Sequence, residues 1–252
     1  MHYSELAGDK IMMNVYRKLK GYNPPSNFQP FKVEIKLGSP LLLANPYIHG
    51  DSVLMALLMR KLLGDEYYNL PAKNPLPVHN ILKLPLKQTK GVYHSSVSQF
   101  DTDVVKTESV YKRFDEEHLH RVNSKIKRVR LGQGFFKNYM MKFPVIPTKT
   151  AIFYFYGNIK ECTSILEDLT ALGKKTDIGY GIVRNMSIEE TDQDYSFVKD
   201  GKCMRPLPAK DFQPIYGYPS VAQRLAWKAP YWDKKNIAMC AAPGAIFYET
   251  KI

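Results

Sequence analysis

The densest capacity for chemistry lies in Gly173-Lys174-Lys175-Thr176-Asp177-Ile178-Gly179-Tyr180-Gly181, a loop with three glycines and two lysines. Glycine accepts positive φ and close backbone approach, so amide N–H groups can face a phosphate there while Lys174 and Lys175 supply charge, with Thr176 and Tyr180 alongside. The loop is not a Walker motif, because the order G-x-x-x-x-G-K-[ST] is absent. It is not a dinucleotide fingerprint either, because it follows a helical pattern. A glycine cap and a tight helix-to-strand turn would account for the same glycines without any ligand.

A second constellation runs from Arg121 to Lys142: Arg121, Lys125, Lys127, Arg128, Arg130, Lys137 and Lys142 without one Asp or Glu, interleaved with Phe135, Phe136 and Tyr139. Cations that track a phosphate chain and rings that stack on bases have this composition. The competing explanation is a solvated loop whose aromatics belong to the core. Histidines offer less. His49 and Asp51 flank Gly50 where Asp51 or Ser52 can cap a helix, and His49 is expected to pack locally. Tyr93-His94-Ser95-Ser96 places a base beside hydroxyls in sequence but specifies no triad geometry. His118 and His120, two apart, do not share a helix face. No metal and no cofactor are expected.

The elements that must hold these segments read as follows. Phe31, Val33, Ile35 and Leu37 alternate with Lys32, Glu34 and Lys36, the pattern of a half-buried strand. A helix is expected from Val53 to Leu63, and short strands and turns through the proline-rich Pro71 to Gly91. Val92 to Phe100 favours strand, and Asp101 to Glu117 reads as a loop or an excursion from the sheet. Lys142 to Gly157 resumes a β pattern. Asn158 to Leu172 spaces Ile159, Cys162, Ile165, Leu166, Leu169 and Leu172 as an amphipathic helix. A strand follows at Ile182 to Ile188. The order predicts an α+β fold of ferredoxin-like type, with helices on one face of an antiparallel sheet. We divide it into an N-terminal arm (1–30), a body (31–200) with a basic excursion (101–142), and an irregular C-terminal extension (201–252) that packs on the body.

With 252 residues and 44% hydrophobic content the chain can bury a real core, and 36 Lys+Arg against 24 Asp+Glu give a formal charge of +12 that favours polyanionic partners. Cys162, Cys203 and Cys240 lack metal or disulfide-framework spacing. No window approaches the roughly 20 apolar residues of a membrane span. Met1 to Lys20 has no signal-peptide core, so a soluble cytoplasmic protein with no membrane partner is expected.

At GKKTDIGYG the sequence resembles the CRISPR RAMP superfamily, whose ferredoxin-like folds carry a glycine-rich loop after their last helix. Ile48-His49-Gly50-Asp51-Ser52-Val53-Leu54, Val92-Tyr93-His94-Ser95-Ser96, Arg205-Pro206-Leu207-Pro208 and Ala229-Pro230-Tyr231-Trp232 narrow the resemblance by their order. Together they look like the type IV subunit similar to the Cas-five family, over about Phe31 to Pro243. That resemblance implies a non-catalytic subunit that holds the five-prime handle of the guide RNA, beside other effector backbone subunits and, transiently, target DNA. Gly173, Lys174, Lys175, Gly179 and Gly181 would contact the handle, with the basic segment as a thumb-like or groove-lining excursion and His94 nearby. Some relatives of the Cas-five family cut precursor guide RNA, so a metal-independent endoribonuclease using Tyr93, His94 or His118 is the alternative.

Overall fold

The strand predicted at Phe31 to Leu37 is the spine of the protein in a computed structural model that describes residues 3–70, 78–122 and 128–248. Helix α1 (Tyr3–Gly21) precedes it and buries Val15 and Leu19 in the main core. Strand β1 (Gln29–Leu37) turns Phe31, Val33, Ile35 and Leu37 inward and Lys32, Glu34 and Lys36 to the other face, as the pleat dictates. After β2 (Leu41–Leu42), α2 (Gly50–Leu63) lays Leu54, Leu57 and Leu58 on the same core. This helix starts at Gly50 and not at Val53. Its N-cap residue is His49, without a side-chain cap bond, and the Asp51 carboxylate in the first turn accepts from the Ser52 amide at 3.0 Å and from a buried arginine described below.

Short elements follow: α3 (Val78–Ile81), β3 (Gln88–Thr89), β4 (Val92–Tyr93) and β5 (Gln99–Phe100). Then β6 (Lys106–Lys112) and β7 (Tyr139–Ile146) pair antiparallel as a ribbon, Lys112 opposite Tyr139 and Lys106 opposite Val145. β2 adds to its base through Leu41 opposite Ile146. Of the two readings of Asp101 to Glu117, a loop or an excursion from the sheet, the second fits: the segment contains strand β6, which pairs with β7 outside the main sheet. The β6 side chains are mostly exposed on both faces, so the sequence carries no apolar alternation to announce it.

β8 (Thr150–Gly157) runs antiparallel to β1, with Val33 opposite Phe153. After α4 (Ile159–Leu166), β9 (Val183–Glu190) flanks the other side of β1. The sheet order is β5-β8-β1-β9, and α2 and α4 cover one face of it through a common core. Phe31 stacks on Phe155 at 5.4 Å between centroids, and burying rings of this size contributes about 1.5–3 kcal/mol each. Asn158 caps α4 by accepting from the Glu161 amide. That helix ends at Leu166 and not Leu172. Thr170 and Leu172 bond instead to Val183 and Gly181, and this local ladder outcompetes two further helical turns.

The C-terminal part is regular where an irregular extension was expected. It holds β10 (Val198–Lys199), β11 (Lys202–Cys203), β12 (Leu207–Pro208), α5 (Ala209–Tyr216), β13 (Tyr218–Pro219), β14 (Ala222–Ala226), β15 (Ile237–Ala241) and β16 (Phe247–Tyr248). β12, β15 and β14 form a three-stranded sheet, and Val92, Phe197, Leu207 and Phe212 fill a second small core. The molecule is α+β with antiparallel sheets.

Arg205 ties the two cores together. Its side chain is 1% exposed and donates to the carbonyls of Tyr93, Ser95 and Trp227, to Asp51 at 3.4 Å and to the Tyr231 hydroxyl at 2.9 Å. Tyr231 in turn donates to the Asp51 carboxylate at 2.7–2.8 Å, and burial pushes its own hydroxyl well above the usual phenolic range. His49 stacks on the Tyr231 ring at 3.5 Å.

Candidate nucleic-acid interface

The glycine-rich loop is built by close packing. Gly173 (φ +87°) lies where a Cβ would meet the Leu42 carbonyl oxygen at 2.8 Å, and Gly181 (φ +65°) where one would meet the Leu172 carbonyl oxygen at 1.9 Å. Only glycine fits the second position. Between them, Thr176–Ile178 form a single 3-10 turn, entered through Lys175 in the left-handed region and left through Gly179.

Five of the loop's amides are engaged within the chain: Lys174 to Leu42, Ile178 and Tyr180 to Lys175, Gly179 to Thr176, and Gly181 to Pro40. The expectation that these amides would cradle a phosphate is therefore corrected for those five positions. Side chains remain the loop's means of contact. Lys174 is exposed, while Lys175 and Thr176 are half-buried.

The loop is bonded to the β6–β7 ribbon. Lys175 Nζ donates to the Tyr139 hydroxyl at 3.3 Å and lies 5.6 Å from the ring centroid. The Tyr180 hydroxyl donates to Glu108 at 2.6 Å, and this bond, with a smaller contribution from burial, pushes the phenol above its usual range. Tyr180 also packs against Leu42, Phe143 and Val145.

Beyond Lys112 and Tyr139 the ribbon opens into the segment that carries the basic residues. Arg121, Arg128, Arg130, Lys137 and Lys142 are all exposed. Residues Arg128 to Gln133 line an open concavity of about 660 Å³. Lys125, Lys127 and the His118 side chain lie outside the described residues. Phe135 is 81% exposed, with Lys112 Nζ 4.9 Å from its centroid, and Phe136 braces it edge-on while resting against Phe114. The sequence thus brings Lys174, Lys175, Thr176 and Tyr180 to the same ribbon that bears the cations and a bare aromatic ring. Sequence reasoning missed β6, whose Tyr111 is exposed with Arg113 5.8 Å from its ring centroid.

His94 does not join this face, which corrects its expected place at an RNA contact. It is 6% exposed, stacks on Phe197 at 4.1 Å, and has both ring nitrogens engaged: Nδ1 with Asp194 at 2.5 Å and Nε2 with the Thr89 hydroxyl at 2.7 Å. Burial pushes the Asp194 carboxyl up, but bonds from His94 and Ser196 outweigh it and hold the group below its ordinary value. Tyr93 is half-buried and its hydroxyl meets the Leu84 amide. Among the described residues no group of three or more His, Cys, Asp or Glu could hold a metal, and no helix is long and apolar enough to cross a membrane.

The family model of the CRISPR type IV associated protein Csf3 matches residues 83–243, a span that contains the ribbon, the glycine-rich loop, His94 and Arg205. The chain belongs to the Csf3 family. The type IV CRISPR resemblance drawn from the motifs is thereby shown, while β1 and α2 lie ahead of the matched Csf3 span. Among solved structures, the chain is similar to one from a cryo-EM structure of the type III-B Cmr-beta bound to cognate target RNA. There the identity is 10%, with 73% of this chain and 67% of that chain covered at a TM-score of 0.37. It is also similar to Cmr6 from Pyrococcus furiosus, at 13% identity over 65% of this chain and 98% of that chain, with a TM-score of 0.31. No curated protein matches the sequence.

Proposed function

We propose that this Csf3-family chain is a non-catalytic RNA-binding subunit of a type IV CRISPR effector ribonucleoprotein in the cytoplasm, holding the five-prime handle of the guide RNA. Other backbone subunits and, transiently, target DNA are its further partners. The observation that carries the proposal is the bonding of the loop to the ribbon through Lys175 and Tyr139, beside exposed Arg128, Arg130 and Lys137 and the bare ring of Phe135. Cations follow the phosphates, and the ring offers a stacking platform for a single-stranded base.

The sheet order supports the ferredoxin-like reading. Taken in chain order, the four strands β1, β5, β8 and β9 lie 2-3-1-4, with α2 and the short α3 between the first two and α4 between the last two. The non-catalytic reading gains from the burial of His94, which is 6% exposed with its ring stacked on Phe197 and so offers little surface to an RNA strand.

The test is a titration of the full chain with guide RNA at several salt concentrations. We expect affinity that falls steeply with salt and drops at least tenfold in a Lys174→Glu/Lys175→Glu variant. Affinity that is absent, or indifferent to both salt and the substitutions, would overturn the proposal. Specific cleavage of repeat RNA in chelator would instead establish the endoribonuclease.

A further inference from the structure

On the outer face of the main sheet, charge is neutralised at one end and left bare at the other. Lys32 on β1 is paired with Glu34 at 3.5 Å and with its cross-strand partner Glu189 at 2.9 Å. Lys36, four residues along the same face, stands opposite Asn185 and Thr150. Here the ends of β1, β8 and β9 enclose a cleft of about 650 Å³ lined by Lys36, Gly38, Ser39, Pro147, Lys149 and Arg184.

Three strand ends thus deliver three cations to one cavity. Among the described residues no carboxylate lies within ion-pair distance of Lys36, Lys149 or Arg184. Asp101, the acid bonded to the β7–β8 turn, is occupied by the Thr148 hydroxyl and the Lys149 amide. Gly38 has a role in this arrangement. The Arg184 side chain lies directly over it, where a Cβ would meet Nε at 2.7 Å. Unpaired like charges repel one another, and an anion relieves that repulsion. The volume falls in the range of ligand clefts, and Leu37, Pro40 and Pro147 add apolar wall.

The cleft is continuous with the glycine-rich loop. Gly181 N bonds to the Pro40 carbonyl at 2.9 Å, Ile182 N to the Ser39 hydroxyl at 2.9 Å, and Gly38 N to the Ile182 carbonyl at 2.7 Å. The wall of the cleft and the end of the loop are one bonded unit.

We propose that Lys36, Lys149 and Arg184 form a second phosphate site, which takes backbone phosphodiesters of the same RNA strand that the loop and ribbon hold. The site rests on the RNA-binding reading above and joins Lys36 on β1, ahead of the matched family span, to Lys149 and Arg184 within it.

Three forms of the full chain test it: wild type, Lys36→Gln/Lys149→Gln/Arg184→Gln, and Lys174→Gln/Lys175→Gln, each first shown to melt like wild type. The probes are a single-stranded RNA of about 20 nucleotides, longer than a typical single-strand site of roughly 4–16, and a nucleoside monophosphate. We expect the cleft variant to lose at least tenfold in RNA affinity at low salt. Its slope of log affinity against log salt should be shallower by about 2, at roughly 0.7 per phosphate neutralised on a single strand. Wild-type affinity and slope in the cleft variant, with weakened binding in the loop variant, would overturn the cleft and leave the RNA reading standing. Saturable binding of the monophosphate without any change in RNA affinity would also overturn it, in favour of a free-nucleotide site. No RNA binding by wild type would remove both proposals. Weakening in the cleft variant alone would support the cleft and remove the loop.

Discussion

Lys175 Nζ reaches the Tyr139 hydroxyl at 3.3 Å across 36 residues of sequence, and Lys175 is, with Lys90 and Asp200, one of the non-glycine residues at positive φ among the described residues. The left-handed backbone aims the ammonium at the ribbon and not at solvent. Loop and ribbon are therefore positioned by one another. Tyr139→Phe keeps the ring under the cation and removes only the hydroxyl. It should weaken guide-RNA binding roughly threefold to tenfold while lowering stability by no more than about 1 kcal/mol, the scale of one hydrogen bond. An equilibrium titration beside a thermal melt would show it, and unchanged affinity would disconnect loop geometry from binding.

Phe135 presents 81% of its surface to solvent, so it contributes little to folding. Phe135→Ala should change stability by less than about 0.5 kcal/mol. If the ring stacks on a base, RNA affinity should fall by about 1–3 kcal/mol. Loss of stability without loss of affinity would mark Phe135 as a support for Phe136 only.

How much of this was legible in the sequence differs by element. β1 was fully legible because its two faces meet different surroundings, and the inward helix residues Leu54 and Leu58 repeat at helical spacing for the same reason. β6 was not, because a projecting ribbon exposes Lys106 and Glu108 on the same face that carries half-buried Val110 and Lys112. The basic segment and the glycine-rich loop were each visible as composition, but their contact depends on Lys175 meeting Tyr139, a long-range relation that no local pattern encodes. His94 shows the opposite failure. Its neighbours in sequence suggested chemistry, whereas its partners Thr89, Asp194 and Phe197 make it a satisfied core residue.

Gly181 and Gly179 separate two costs. Both have positive φ, but a Cβ at Gly181 collides with the Leu172 carbonyl oxygen while one at Gly179 meets nothing within 4 Å. Gly179→Ala should cost about 1 kcal/mol, from backbone strain alone. Gly181→Ala adds a clash with main chain that cannot rotate away, for a total of about 2–5 kcal/mol. Urea unfolding of the two variants would test the order, and equal losses would mean that the segment at Leu172 yields easily.

Arg205 and Asp51 are buried partners from opposite ends of the chain, with Tyr231 as a second partner to both. Arg205→Met leaves the Asp51 carboxylate buried without its counter-charge and frees the carbonyls of Tyr93, Ser95 and Trp227. Removing one member of a buried pair costs about 3–5 kcal/mol, so this variant should be the least stable of those considered. Tyr231→Phe removes a donor but keeps the ring against His49, and about 1–2 kcal/mol is expected. Denaturant midpoints would rank them, and an Arg205→Met protein as stable as Tyr231→Phe would show that water reaches the cluster.

His49 makes stability depend on pH. Burial, only partly offset by Asp51 and reinforced by Arg205, pushes its imidazole from 6.5 down to about 4. Between those values the unfolded chain holds a proton that the folded chain refuses. Stability therefore rises with pH through this window, is complete above about 6.5, and declines by up to about 3 kcal/mol as pH falls to 4. His79, lowered by burial and by Lys228, adds a smaller contribution of the same sign. His49→Phe retains a ring against Tyr231 and cannot titrate. Its urea midpoint should change less between about pH 7 and pH 4.5 than that of the parent. An undiminished pH dependence in the variant would assign the acid sensitivity to groups other than His49.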